Sequence, residues 1–258
     1  MRVHVVQLAY DDTEPVAERV DRVAALVRGQ RGADLVVLPE LWAHGGFASR
    51  HWAERAEPVD GPTVTSIAAA ARDLGATVHA GSIVERAGDD LFNTSVLLAP
   101  DGTVAATYRK IHRFGFDAGE PLIMSAGSDV VVAPLPALGV TLGLATCYDL
   151  RFPELFRRLL DAGADTLVAP AAWPAARVDH WTLLGRARAV ENQCAAILAN
   201  TAGTHARTPM GGRSQVVAAD GRVLAEAGDA EEVLVAEVDP AETARYRQEF
   251  PVLRDRRL

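Results

Sequence analysis

Four residues carry reactive side chains at points where an apolar run gives way to a polar loop. They are Glu40 after DLVVLP, Lys110 after VAATYR, Glu120 in the loop that follows, and Cys147 after VTLGLAT. In α/β folds, ligands bind at such strand ends, and side chains from distant parts of the chain converge there. The four residues are therefore candidates for a single site.

Taken singly, each residue also has a structural explanation. Glu40 could be a solvated strand end, Lys110 lies in the basic stretch YRKIHR, Glu120 lies in the turn-like DAGEP, and Cys147 could be a buried thiol. Together they supply what amide hydrolysis requires: a sulfur nucleophile, a base that moves protons, and a cation that stabilises the oxyanion. Their order along the chain is no objection, because catalytic groups assemble in space.

The elements that would position these residues alternate between β-branched runs and alanine-rich, charge-laced stretches, which predicts strands and helices in alternation. Strands or strand pairs are predicted at 2–9, 33–40, 76–86, 93–110, 130–149, 164–173, 194–202 and 214–227, and helices at 15–32, 63–76, 153–163 and 179–193. Asp-Gly pairs at 101–102 and 220–221 indicate hairpins. We therefore predict two mixed sheets covered by helices, an α/β four-layer αββα sandwich.

Length and composition are typical of one large globular domain. The 258 residues are 49% hydrophobic and 23% charged, which favours a single domain over 1–258 with a polar C-terminal arm from about 241. The net charge of -8 is dispersed along the chain, so nucleic acid is not an expected partner. No signal peptide or membrane-spanning run is apparent. Two cysteines cannot form a disulfide framework, which favours a reducing, cytoplasmic setting.

Three ordered segments resemble the signatures of the nitrilase superfamily of carbon-nitrogen hydrolases. They are LPELW (38–42), YRKIHRFGF (108–116) and CYDLRFPEL (147–155). Further matches are GSI (81–83), NTS (93–95), RARAVENQ (186–193) and GGRS (211–214). The resemblance covers nearly the whole chain, and three motifs in this order are specific where one alone would be weak.

The resemblance implies the αββα fold and a Glu-Lys-Cys triad. By motif position, Glu40 is the general base, Lys110 the cation at the oxyanion, and Cys147 the nucleophile, while Glu120 is placed as a second glutamate that positions substrate and the lysine. The backbone N–H of Tyr148 would join Lys110 at the oxyanion. Trp173 would wall the acyl pocket, although core packing explains it equally well.

The implied reaction passes through a thioester on Cys147 and releases ammonia or an amine, and it requires no metal or organic cofactor. Asp149, Arg151 and Glu154 are expected to form buried or interface ion pairs that fix the nucleophile loop rather than to contact substrate, and Cys194 is expected to be a structural thiol. The resemblance also implies a small-molecule amide as the partner, no membrane contact, and association into a homodimer or higher homo-oligomer.

The sequence is compatible with several functions. The CYDLRFPEL form looks most like the amidases that act on ω-amides of dicarboxylic acids or on deaminated glutathione. An N-carbamoyl amino acid amidohydrolase and a nitrilase are the enzymatic alternatives. A catalytically silent binding or scaffold protein with the same fold is the non-enzymatic one.

Overall fold

The computed structural model describes residues 1–257, which form two six-stranded mixed sheets with helices packed outside them. The strands are β1 (Arg2–Gln7), β2 (Leu35–Val37), β3 (Thr77–Ala87), β4 (Asp90–Leu98), β5 (Val104–Arg109), β6 (Val132–Leu135), β7 (Val140–Leu144), β8 (Thr166–Pro170), β9 (Ala195–Ala199), β10 (Thr204–His205), β11 (Thr208–Pro209), β12 (Gln215–Val217), β13 (Val223–Glu226) and β14 (Glu232–Glu237). The α-helices are α1 (Val16–Arg28), α2 (Trp52–Arg55), α3 (Pro62–Leu74), α4 (Glu120–Ile123), α5 (Pro153–Asp161), α6 (Val178–Asn192) and α7 (Pro240–Glu249).

Each large sheet has a parallel centre and antiparallel edges. The first sheet runs β14-β1-β2-β3-β4-β5, with β1, β2 and β3 parallel. The second runs β13-β12-β9-β8-β7-β6, with β7, β8 and β9 parallel. β10 and β11 form a separate small hairpin. The predicted fold class of two mixed sheets with outer helices is confirmed.

Side-chain alternation along β1 divides the molecule into layers. Val3 and Val5 are fully buried in one core cluster with Leu142 of β7, so these residues pack between the two sheets. Val6 points the other way and packs in a second cluster with Ile67 of α3 and residues of α1. The strands are apolar on both faces because both faces are covered.

The opposite outer layer consists of α5 and α6. Phe156 of α5 and Trp181 of α6 are buried in the same cluster as Leu198 of β9. Gly185 allows the close approach of α6, because a Cβ at this position would lie 2.1 Å from Leu198 Cδ1. The two helices therefore pack tightly on the sheet that carries the nucleophile segment.

Most observed elements are shorter than the runs that predicted them. The run predicted as a strand over 33–40 pairs only over β2, since the chain leaves the sheet where it carries Glu40 towards the cavity. α3 ends at Leu74, two residues before the predicted end, because Gly75 follows it with a left-handed φ of 73°. β14, which the sequence pattern did not predict, pairs antiparallel with β1. Among residues 1–257, no helix is long and apolar enough to span a bilayer.

Candidate active site

The four predicted residues meet in one cavity of about 250 Å³. Glu40 follows β2, Lys110 follows β5, Glu120 begins α4, and Cys147 follows β7, so both sheets contribute. The cavity is lined by Glu40, Gly46, Phe47, Ser49, Trp52, Lys110, Phe114, Gly115, Ala118, Gly119, Glu120, Cys147 and Ala172. The expected convergence of strand ends is therefore observed.

The Lys110 ammonium lies between two buried carboxylates. Its Nζ donates hydrogen bonds to Glu40 Oε1 at 2.7 Å and to Glu120 Oε1 at 3.0 Å. The three side chains are each at least 95% buried. Glu120 Oε2 also accepts from the backbone N–H of Phe114, and Glu40 Oε2 accepts from the backbone N–H of Ala172 at 2.9 Å. The two carboxylates share one ammonium, and neutral backbone donors complete the hydrogen bonding that burial of charges requires.

Burial and mutual attraction set the ionisation of this cluster. Burial alone would lower the pKa of Lys110, but the carboxylates of Glu120 and Glu40 outweigh it and raise that pKa well above its ordinary value. The pKa of Glu120 is raised, because burial and the charge of Glu40 oppose the stabilising effect of Lys110. Lys110 is therefore a permanent cation at neutral pH.

Cys147 occupies a sharp turn between β7 and a short 3₁₀ helix, Cys147–Arg151. Its φ of 48° lies in the left-handed region, which costs a non-glycine residue about 1–3 kcal/mol. The first N–H groups of a helix lack intrahelical acceptors, so the start of this helix presents backbone donors beside the thiol. Tyr148, the predicted oxyanion donor, is at this position.

The surroundings of Cys147 favour the neutral thiol over the thiolate. Burial and the nearby Glu40 carboxylate raise its pKa well above the ordinary value, although Lys110 acts in the opposite direction. A neutral thiol must lose its proton as it attacks, and the adjacent carboxylate is suited to accept it. By contrast, burial raises the pKa of Cys194 to about 11, and its surroundings are a backbone and a cation: Sγ donates to the carbonyls of Ala164 and Asn192 and lies 3.1 Å from the Arg247 guanidinium.

Asp149 ties the nucleophile turn to the lysine segment. It is fully buried, and Oδ2 accepts from Tyr108 Oη at 2.7 Å and from the Thr146 N–H at 2.9 Å. Its Oδ1 contacts His112 Nδ1 at 2.7 Å and accepts from the His112 N–H at 3.0 Å. The bracing expected of Asp149 is thus present, and it joins β5 and the nucleophile turn across the two sheets.

The segment that carries Glu40 is held by the GSI motif. Gly81 has a left-handed φ of 71°, and a Cβ there would lie 1.9 Å from the carbonyl oxygen of Pro39. Ser82 Oγ accepts from the N–H of Leu41 at 3.1 Å, and Leu41 itself has a φ of 46°. Only glycine allows this close approach, so the motif fixes the residues on either side of Glu40.

Trp173 and Arg151 line a narrower cavity of about 20 Å³ that also reaches Cys147. The Arg151 guanidinium lies over the Trp173 ring at 4.8 Å, and Arg177 lies over Phe114 at 5.8 Å. Trp173 therefore packs in the core and also contributes to the wall beside the nucleophile. In place of a buried ion pair, the Arg151 guanidinium hydrogen-bonds to His180 Nδ1.

Asn93 lies in the NTS motif, but its sequence context predicts no role for it. Asn93 is 2% exposed, and its Nδ2 donates to Glu40 Oε1 at 2.8 Å and to Glu120 Oε1 at 2.6 Å. A polar residue within an otherwise buried strand was the available signal. Its partners could not be inferred, because they depend on how β4 lies beside the Glu40 and Glu120 segments.

This fold, with a cysteine, a lysine and two glutamates in one buried cavity, defines a cysteine-dependent hydrolase of carbon–nitrogen bonds. The carbon-nitrogen hydrolase family matches residues 2–248, and the chain belongs to this family. The predicted enzyme class is therefore confirmed.

Known relatives agree with this assignment over the full length of the chain. A 2-oxoglutaramate amidase of Paenarthrobacter nicotinovorans is 45% identical, covering 99% of this chain and 89% of that protein. Omega-amidase NIT2 of Homo sapiens is 33% identical, covering 99% and 95%. The crystal structure of a CN-hydrolase superfamily protein from Xanthomonas campestris, with an arsenic adduct in its active site, has a TM-score of 0.92 at 32% identity and covers 100% and 97%.

Proposed function

We propose that this amidase hydrolyses a small amide that carries a carboxylate group, with Cys147 as nucleophile, Glu40 as general base and Lys110 as the oxyanion cation. Glu120 positions Lys110. The observation that carries this assignment is the Lys110 ammonium held between two carboxylates in the cavity that contains the Cys147 thiol.

The proposed reaction has two stages. Glu40 accepts the thiol proton as Cys147 Sγ attacks the amide carbon, and the oxyanion faces Lys110 Nζ and the Tyr148 N–H. The protonated Glu40 then gives this proton to the leaving nitrogen as the carbon–nitrogen bond breaks, so that ammonia departs and a thioester remains. Water loses a proton to Glu40 and attacks the thioester, and the sulfur leaves and regains a proton. The net reaction is amide plus water giving carboxylic acid plus ammonia.

Two arginines beside the nucleophile support a carboxylate on the substrate. Arg151 and Arg177 line the narrow cavity that adjoins Cys147, and both are placed against aromatic rings. Guanidinium groups bind carboxylates in a bidentate manner. The relatives named 2-oxoglutaramate amidase and omega-amidase accord with such substrates. We infer that the substrate class is the ω-amides of dicarboxylic acids.

The proposal also covers the domain organisation, cellular location and oligomeric state of the enzyme. We infer a single domain, a cytoplasmic location and a homodimer. The two cysteines are free, which accords with a reducing compartment. Leu183 and Val190 of α6 are 66% and 45% exposed, which accords with a covered helical face in an oligomer. Sedimentation velocity of the purified protein would measure the oligomeric state, and a monomer would contradict the inference.

A substrate panel tests the function. Purified protein is expected to release ammonia from ω-amides of dicarboxylic acids, while Cys147→Ala abolishes release and Cys194→Ala, the matched control, retains it. Carbon dioxide release from ureido acids would instead identify an N-carbamoyl amino acid amidohydrolase, and ammonia from nitriles a nitrilase. Turnover that persists in Cys147→Ala would overturn the mechanism, and no turnover by the wild type would leave the scaffold alternative.

A second prediction concerns substrate binding. Arg151→Met is expected to raise KM for carboxylate-bearing amides about 10- to 100-fold, because a hydrogen-bonded charge pair is lost. The KM for neutral amides of the same length should change little. Steady-state kinetics on both substrates measures the difference, with the exposed Arg158→Met of α5 as control. An equal rise in KM for both substrates would mean that Arg151 only supports the nucleophile turn.

A further inference from the structure

Asn93 is a buried amide that joins both carboxylates of the cavity without adding charge. We propose that Asn93 is a positioning residue that holds Glu40 and Glu120 on either side of Lys110 and directs the thiol proton to Oε2 of Glu40. This inference rests on the proposed function, since it assumes that Glu40 is the base.

Asn93, Lys110, Glu40 and Glu120 form a closed ring of hydrogen bonds. Asn93 Nδ2 and Lys110 Nζ are the two donors, and each contacts the same two acceptors, Glu40 Oε1 and Glu120 Oε1. The two hydrogens of one amide nitrogen suffice for both bonds. The opposite orientation of the amide would place Oδ1 against two carboxylates, so the charges themselves select the donor orientation.

Counting the lone pairs of Glu40 identifies its basic atom. A carboxylate oxygen has two lone pairs in its plane, and both on Oε1 are directed to donors, Lys110 Nζ at 2.7 Å and Asn93 Nδ2 at 2.8 Å. Within residues 1–257, Oε2 accepts only the Ala172 N–H, at 2.9 Å. One lone pair of Oε2 is therefore open to the Cys147 proton. Without Asn93, one lone pair of Oε1 would lose its donor and compete with Oε2 for the thiol proton.

The location of Asn93 explains why it can serve this role. Its carbonyl accepts from the N–H of Lys110 at 2.8 Å, so the pairing of β4 with β5 fixes the lysine main chain as well as the side-chain ring. A neutral donor is suited to the position. A second lysine would stabilise Glu40 as an anion and weaken it as a base, while an aspartate would add a third negative charge.

The test is the pH profile of variants. Asn93→Leu keeps the approximate volume and removes both hydrogen bonds, so kcat is expected to fall about 10- to 100-fold with KM changed less than about threefold. Without the Asn93 donor, the ionised forms of Glu40 and Glu120 are less stable, so the pKa of these carboxylates rises. The acidic limb of the pH profile of kcat/KM is therefore expected to move to higher pH. Asn93→Asp is expected to move this limb further, because a third carboxylate disfavours ionisation of the others.

The charged and titratable groups that face the ring come from several elements. They are Lys110 after β5, Glu40 after β2, Glu120 of α4, Cys147 after β7 and Tyr10 after β1. None is altered in these variants, so a displaced limb reports the loss of Asn93. Asn192→Ala, which removes a buried amide at the end of α6, is the control for loss of packing. The acidic limb of kcat/KM for Asn192→Ala is expected to lie at the same pH as that of the wild type.

Alkylation of Cys147 by iodoacetamide, followed by mass spectrometry across pH, gives a second readout that needs no substrate. The rate of labelling is expected to rise with ionisation of the base and to show the same displaced limb in both Asn93 variants. A limb unchanged in Asn93→Leu and Asn93→Asp, whichever of them folds, would overturn the positioning role. If the wild type hydrolyses no amide while the labelling limb still moves, the proposed function fails and the positioning role stands.

Discussion

At the scale of single residues, the site depends on charges that would be costly to bury alone. Lys110 is buried between Glu40 and Glu120, and Glu120 meets three donors: Lys110 Nζ, Asn93 Nδ2 and the Phe114 N–H. A carboxylate can accept from all three, because both of its oxygens are acceptors. The requirement for a carboxylate at this position is therefore set by hydrogen-bond counting as well as by charge.

Glu120→Gln tests this requirement. The amide has one acceptor oxygen and one donor nitrogen, so a donor must face a donor on one side of the side chain. We expect kcat to fall roughly 100-fold, in line with the loss of a group that supports proton transfer, with a smaller change in KM. Initial-rate kinetics measures this, and the exposed Glu154→Gln serves as control. An unchanged kcat would show that Glu120 has no positioning role.

The residue types of the site could be predicted from sequence, whereas their connections could not. Glu40, Lys110, Glu120 and Cys147 each stand in a recognisable motif or at a strand end, so they could be identified without coordinates. The hydrogen bonds of Asn93 and Asp149 link segments that are far apart in the chain. Such bonds depend on sheet pairing and on how one sheet packs on the other, and neither is encoded in local pattern.

At the scale of elements, the ends of strands determine where the chemistry lies. Glu40 is placed by the bulged middle of β3, where Gly81 approaches Pro39 and Ser82 accepts from Leu41. The apolar runs predicted the strands, and the Asp-Gly turns predicted their hairpins. β14 escaped prediction because EVLVAE has acidic ends and alternates in exposure, which is a weak signal beside the continuous apolar runs.

Gly81→Ala tests the role of the β3 bulge. The new methyl group would meet the Pro39 carbonyl at 1.9 Å, so the segment that carries Glu40 must move. We expect stability to fall by about 2 kcal/mol or more and kcat to fall about tenfold or more, since misplaced catalytic groups are costly. Chemical denaturation and initial rates measure the two effects.

Gly88→Ala is the matched control for this prediction. Gly88 also has a left-handed φ, 61°, but apart from its chain neighbours no atom of residues 1–257 lies within 4 Å of the position of its Cβ. This variant therefore carries the backbone strain without the collision. It is expected to lose some stability and to keep its kcat. Equal effects of both substitutions on kcat would contradict the role given to the contact with Pro39.

At the scale of the whole molecule, the structure buries histidines as neutral groups. Burial lowers the pKa of His79 in β3 and of His205 in β10 to about 4 each, from an ordinary value of 6.5. His205 stacks on Tyr10 at 3.7 Å, and Arg19 lies over Tyr10 at 4.1 Å. Arg19 adds to the effect of burial at His205, while Asp12 opposes it.

This burial predicts a loss of stability in mild acid. The unfolded chain binds protons at these histidines from about pH 6.5, whereas the folded chain binds them only near pH 4. Their contribution is thus complete above pH 6.5 and declines as the pH falls from 6.5 to 4, at about 1.4 kcal/mol per pH unit for each histidine. Urea denaturation at several pH values measures this slope.

The contribution of a single histidine to the pH dependence of stability can be measured by substitution. His205→Phe keeps the stack on Tyr10 and removes one titrating group, so the slope should decrease by about 1.4 kcal/mol per pH unit. The partly exposed His51→Phe is the control for replacing an imidazole with a phenyl ring near the surface. An identical slope in His205→Phe and the wild type would refute the assignment.

The division of the site between the two sheets has a practical consequence. Glu40, Lys110 and Glu120 precede the segment 125–131, while Cys147 and Ala172 follow it, and β14 returns from the second part to pair with β1. A chain cut within this segment would yield one fragment with the base and the cation and another with the nucleophile. Ammonia release would then report the reunion of the two fragments, so the enzyme is suited to serve as a split reporter of molecular proximity.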